Sequence, residues 1–497
     1  MKRLYTILLY GLGLSCLFGA GRLNLHLLDV RREQGITQAD PVENAPPLVA
    51  FTTVTLGGFR GIIADLLWLR SSKLQEEGRY FELVQLADWI TKLEPRFTEV
   101  WAYQAWNLAY NISVMFPAPE DRWRWVQHGI ELLRNEGIRY NPGDARLLLE
   151  LGWLYQHKIA GTLDDAHLYY KRALAESLEP LLSGARPDFQ RWKALPPNRE
   201  ALQQVKGMAS LLDRLRAADM DPWRWSQVHD TAPRELRLDP AWPVYSAFMK
   251  RETFERVFAL SPETMEKIED TYGPQDWRLP TSHSLYWAYR ARQVARDTYE
   301  QVSSRRMIFQ SLQEAFRRGR LVQNPDHSLF LLSPNLDVLP YVLQGYREAM
   351  AESENPSLRD GYRNFLWDAV FILYTYQEQT KAQSMLDELR RFDPTVDQTS
   401  SLDQVVLHLF AGRVEQMTQE EATSVVEGTL LQSLLWAQAG DARRAAGFEQ
   451  LAVQLWSTYM DPRMNDPQLR ERTGLPPLMQ LRQSAALRLR ESRSPQP

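Results

Sequence analysis

Apolar positions along much of the chain recur at spacings of four and three, the period of one face of an α-helix. The stretch GRYFELVQLADWITKLEP, Gly78 to Pro95, shows this clearly. Leu83, Ala87 and Ile90 share a face after a turn at Gly78 and Tyr80. Pro95 closes the segment, because the residue before a proline disfavours helix. Leu66 to Lys73 carries the same period upstream, so the unit reads helix, tight turn, helix, proline. A second unit has Trp101 and Ala105 on its first helix and Val126, Ile130 and Leu133 on its second, with VMFPAPEDRWRW inserted between and Pro142 at the close. A third runs from Leu148, Leu151, Gly152 and Tyr155 to Ala166, Tyr170 and Ala173, with a longer loop and a late Pro180. Near the C-terminus Ala382, Leu386 and Leu389 precede Pro394, and Gly440, Ala445 and Ala452 repeat the spacing without the proline. The pattern predicts an all-α chain; the short apolar runs VVLHLF and FLLSPNLDVL are read as helix or loop.

Hairpins with a large residue early, small residues where helices cross and a closing proline resemble the tetratricopeptide repeat, whose unit is about 34 residues. The resemblance covers roughly 61–180 and 362–460. It implies a superhelix of stacked hairpins (an α-solenoid) whose concave groove receives a peptide or helix of another protein. A single hairpin cannot bury its apolar face alone, and small residues such as Ala105, Gly152, Ala166 and Ala173 let neighbours approach closely.

The rest of the chain departs from the repeat. Lys2 and Arg3 precede an uncharged run of about 17 residues, Leu4 to Ala20. We read residues 1–21 as a signal anchor and transmembrane helix, with a cleaved signal or a lipidated Cys16 as alternatives. That reading places the body on the exported, periplasmic side of a bacterial-type envelope, held by a single-pass membrane anchor. Residues 22–55 read as a tether and 56–180 as the first hairpins. Residues 181–283 form an irregular and helical insert rich in Pro and Trp, 284–460 further helical repeats, and 461–497 a frayed tail.

Composition narrows the function. Lys and Arg total 58 against 62 Asp and Glu, a net charge of −4, which is no footprint for nucleic acid. The lone cysteine allows no internal disulfide and no CxxC metal site. The eight histidines are scattered, and no phosphate loop, dinucleotide fingerprint or nucleophile elbow occurs, so no cofactor, metal or catalytic residue is expected.

Candidate partner-binding residues come from two sources. On the first helix of the second unit, Trp101, Gln104, Asn107 and Asn111 could face the groove; Asn107 and Asn111 are four apart and could bond a peptide backbone, or could brace the following loop. A Trp-Arg motif occurs as Asp121, Trp123, Arg124 and Trp125, again as Asp221, Trp223, Arg224 and Trp225, and in part as Asp276, Trp277 and Arg278. Such residues could stack on a partner, or could form cation–π stacks, helix caps and an Asp276–Arg278 ion pair inside the fold. The leading expectation is a non-enzymatic scaffold or adaptor. The alternatives are a glycan-acting enzyme on an α/α toroid that uses Asp276, and a structural assembly factor with no groove ligand.

Overall fold

The computed structural model describes residues 59–182, 184–323, 330–352, 356–412, 417–464 and 467–491, with Val414 and scattered positions between 11 and 30. The described chain is all-α apart from one two-stranded ribbon. It forms two compact units, residues 1–154 with 293–296 and residues 155–292 with 297–497.

In the first unit α1 (Phe59–Glu76) and α2 (Tyr80–Leu93) form a hairpin. Helix α3 (Thr98–Trp106) packs on α2, on α4 (Pro119–Glu131) and on α5 (Ala145–Trp153). Ala64, Ala87, Ile90 and Val100 make a core against which Leu67, Trp68 and Phe97 pack. The carbonyl of the closing Pro95 ties successive hairpins together, accepting from Trp101 Nε1 at 3.0 Å and from Asn141 Nδ2 at 2.8 Å. Both α3 and α4 run on into wider π-type turns, Asn107–Ile112 and Leu132–Gly137.

The second unit begins with α6 (His167–Leu178), followed by short helices that include α7 (Met208–Ala217) and α8 (Trp242–Thr253). Longer helices follow: α9 (Pro262–Tyr272), α10 (Pro280–Val294) and α11 (Thr298–Arg318). Next come strands β1 (Arg320–Gln323) and β2 (Phe330–Ser333), then α12 (Leu339–Glu352), α13 (Pro356–Thr375), α14 (Gln379–Phe392) and α15 (Leu402–Ala411). Helices α16 (Gln419–Gln438), α17 (Ala442–Met464) and α18 (Leu478–Glu491) end the described chain.

The strands pair antiparallel with Arg320 opposite Ser333. FLLS is thus a strand rather than helix or loop. Alternation gives the ribbon two buried faces. Val322 and Leu331 pack on Trp436, Ala439, Ala445 and Phe448. Leu321, Phe330 and Leu332 join Ala175 and Leu279. The tail expected to fray is helical to Glu491, because α18 packs on α16 and Arg488 pairs with Glu427 at 2.8 Å; residues 492–497 lie outside the described set.

No helix among the described residues is long and apolar enough to cross a membrane. That finding corrects the transmembrane signal anchor expected over 1–21, and with it the membrane-anchored, exported placement of the body. The uncharged run falls short of the roughly 20 residues a span needs, and Gly11, Gly13 and Gly19 interrupt it. Positions 1–10, 12, 14 and 17 of it, and the tether over 31–55, lie outside the described residues.

Three hairpins share one closing turn. At the end of α1 the Arg79 N–H donates to Leu74 O at 2.9 Å and Gly78 N–H to Gln75 O at 3.0 Å. The same pair of bonds closes α13 around Gln377 and α16 around Gly440. This double closure needs a left-handed residue after the helix, and Gly78, Gln377 and Gly440 have φ of +70°, +58° and +84°. Glycine reaches that region freely, whereas glutamine is strained there by about 1 kcal/mol. Gln377→Gly should therefore raise the free energy of unfolding by about 0.5–1 kcal/mol and Gly440→Ala lower it by about 1 kcal/mol. Urea titration checks both, and shifts of the same sign would refute the shared geometry.

Candidate functional site

The sequence candidates on α3 point mostly inward. Trp101 is buried and stacks on Tyr140 with ring centroids 6.0 Å apart. Gln104 is buried and donates from Nε2 to Val84 O at 3.2 Å. Asn107 is fully buried, and its Oδ1 accepts from Nδ2 of half-buried Asn111 at 2.9 Å. The two asparagines thus brace each other along the π-type turn.

The outward face of the same helix carries rings. Tyr103, Trp106 and Tyr110 follow one another at spacings of three and four. Trp106 is 38% exposed. Centroids step from Phe97 to Trp68 (5.9 Å), Tyr103 (5.6 Å), Trp106 (6.3 Å) and Tyr110 (5.8 Å), and the last two planes lie 24° apart. The ladder starts in the core and ends at solvent. Trp153 is also exposed, on the adjacent helix α5. The four-three spacing that marks Trp101, Ala105 and Leu108 as core also predicts an opposite face, so Tyr103, Trp106 and Tyr110 were readable but unread.

The Trp-Arg motif divides between two environments. Trp123 is buried within α4, Arg124 is exposed and pairs with Asp121 at 3.0 Å, and Trp125 stacks on Phe116 at 5.9 Å beside Phe81 and His128. The second copy lies at a turn: Asp221 Oδ1 accepts from Trp223 N–H, Arg199 rather than Arg224 lies over the Trp223 ring at 4.5 Å, and Trp225 is buried by Trp242 and Tyr245. The repeated letters therefore do not mark a repeated site.

Asp276, Trp277 and Arg278 are all buried. The Arg278 guanidinium donates twice to the Asp276 carboxylate, at 2.9 and 2.8 Å, and reaches Glu179 at 3.1 Å and Leu321 O at 3.1 Å. Asp276 also accepts from Leu321 N–H at 2.9 Å, which fixes the first strand. Trp277 Nε1 donates to Glu269 at 2.8 Å, and burial pushes that carboxyl above its usual range. The arrangement is an internal clamp. Arg278→Met strands a buried carboxylate and should cost about 3–5 kcal/mol, most of it recovered in Asp276→Leu/Arg278→Met; urea unfolding of the set measures this, and equal losses in single and double variants would count against it.

A second polar cluster holds the long loop of the third hairpin. Lys158 pairs with Asp164 at 2.6 Å, with both side chains buried. Lys171 Nζ donates to Gly161 O at 2.8 Å and meets His167 Nδ1 at 2.8 Å. Burial lowers Lys171 from 10.5 to about 8. The folded chain then binds fewer protons than the unfolded chain between those two values. The cost of burying the ammonium is complete below about pH 8 and is relieved as pH rises. Urea midpoints should therefore climb between about pH 7 and about pH 9, and Lys171→Met should remove that share of the climb; an unchanged slope in the variant would exclude Lys171 as its source.

Among the described residues no three His, Cys, Asp or Glu side chains gather as a metal site. No family model, no curated protein and no solved structure matches the chain.

Proposed function

We propose that the chain is a non-enzymatic scaffold whose hairpins stack in the tetratricopeptide manner, and that the outward ring ladder on α3 takes a peptide or helix of a protein partner. The carrying observation is the position of Trp106 and Tyr110. Most large rings near them are spent on packing, whereas these continue a stacked series out to solvent. Exposed Trp and Tyr offer large contact area at little conformational cost and are over-represented where proteins bind one another. The closing turns at Gly78, Gln377 and Gly440, and the Pro95 carbonyl that ties one hairpin to the next, support the repeat reading. A glycan-acting reading draws less support, since Asp276 is held by Arg278 on both carboxylate oxygens.

Tagged full-length chain recovered from extracts of its own cells tests this. A stoichiometric partner should co-purify with the parent and fall at least tenfold with Trp106→Ala/Tyr110→Ala, while the unfolding free energy changes by no more than about 1–2 kcal/mol. A partner retained at full yield by the double variant would exclude the ladder as its site.

A further inference from the structure

Helix α1 has two apolar faces. One is used: Ala64, Ser71 and Leu74 are buried, and Leu67 and Trp68 pack beside them. On the opposite side Ile62, Leu66 and Leu69 are 57%, 62% and 67% exposed. A helix apolar on opposite sides is ordinarily covered on both, and terminal helices of stacked hairpins normally turn a polar face outward. The bare stripe also has a particular spacing. The steps from 62 to 66, 69 and 73 are four, three and four, the heptad seam of a two-stranded coil, with Ile62 and Leu69 at one core position and Leu66 and Lys73 at the other.

The charges beside the seam choose the occupant. Asp65 and Arg70 flank Leu66 and Leu69, are exposed, and have no ion-pair partner among the described residues. They lie five residues apart, the last flanking position of one heptad and the first of the next. In a parallel, in-register pair of identical helices these two positions face each other across the seam, on both sides. An antiparallel pair would set each flanking position against its own kind. We infer that α1 is a homodimerisation helix: a second copy of this chain packs parallel to it, Leu66 on Leu66 and Leu69 on Leu69, with reciprocal Asp65–Arg70 ion pairs. Lys73 at a core position costs stability but favours two strands over three or more. The seam spans only about two heptads, so the association is weak and concentration-dependent. It uses a face of the first unit separate from the ring ladder and does not rest on the scaffold reading.

Analytical ultracentrifugation of the full chain from roughly 1 to 100 µM, a range suited to small, transient interfaces, tests the inference. The parent should pass from monomer to dimer. Leu66→Glu/Leu69→Glu should raise the dissociation constant at least tenfold with circular dichroism and melting unchanged, since both side chains lie on the exposed face. Asp65→Lys and Arg70→Asp should each weaken the dimer, and the two together should restore it. A parent that stays monomeric at the top concentration overturns the proposal and leaves the stripe to another segment or another protein. A dimer indifferent to Leu66→Glu/Leu69→Glu overturns it in favour of a different surface. Loss of the dimer with glutamate but indifference to charge reversal overturns the parallel register.

Discussion

A pair of antiparallel helices can bury one apolar face between its own members and must find cover for the others. That constraint organises this chain. In the first unit α3 is covered by α2, α4 and α5, and the Pro95 carbonyl accepts bonds from the hairpin that follows. Where cover runs out, apolar surface remains: a ring ladder on α3 and an aliphatic stripe on α1. Both are larger than isolated exposed side chains, which need no explanation. They differ in kind, one stacked and aromatic, the other a narrow leucine seam flanked by charge.

The second unit meets the constraint with a different device. Its ribbon is covered on both faces, one by the turn between α16 and α17 and the other by Leu279 and Ala175. Two strands alone are marginal in water. The Asp276–Arg278 clamp supplies the missing fixity, since it bonds both the N–H and the C=O of Leu321. A fully paired ionic group at such a place contributes less to net stability than to the choice of one register. The Pro- and Trp-dense segment that carries the clamp is therefore part of the core.

The sequence was legible where a single period sufficed. Leu83, Ala87 and Ile90, and likewise Ala382, Leu386 and Leu389, are buried as their spacing requires. Gly78 and Gly440 stand where helices reverse, whereas Gln377 makes the same turn with no glycine to announce it. Partners distant in sequence left no such trace. Nothing local says that Arg278 reaches Glu179 and Leu321, or that RLVQ and FLLS pair. The candidate site erred by a fraction of a turn: Trp101 and Gln104 look toward the core and Tyr103 and Trp106 away from it. A repeat pattern locates the buried register well, while the face that matters for contact is its complement. The uncharged N-terminal run misled because lack of charge was weighed above length and glycine content.

The π-type turn Asn107–Ile112 has a consequence of its own. Such a turn holds one residue more than the α-helix it interrupts. Each α-helical residue advances about 100° around the axis, so the extra residue sets the phase of everything after it. Shortening the segment by one would restore regular helix and swing Tyr110 and its successors about a quarter turn from Trp106. A side-chain change there would alter one contact, but a one-codon deletion would split the ring series in two. The length of that turn, more than its composition, is what the surface in front of it inherits.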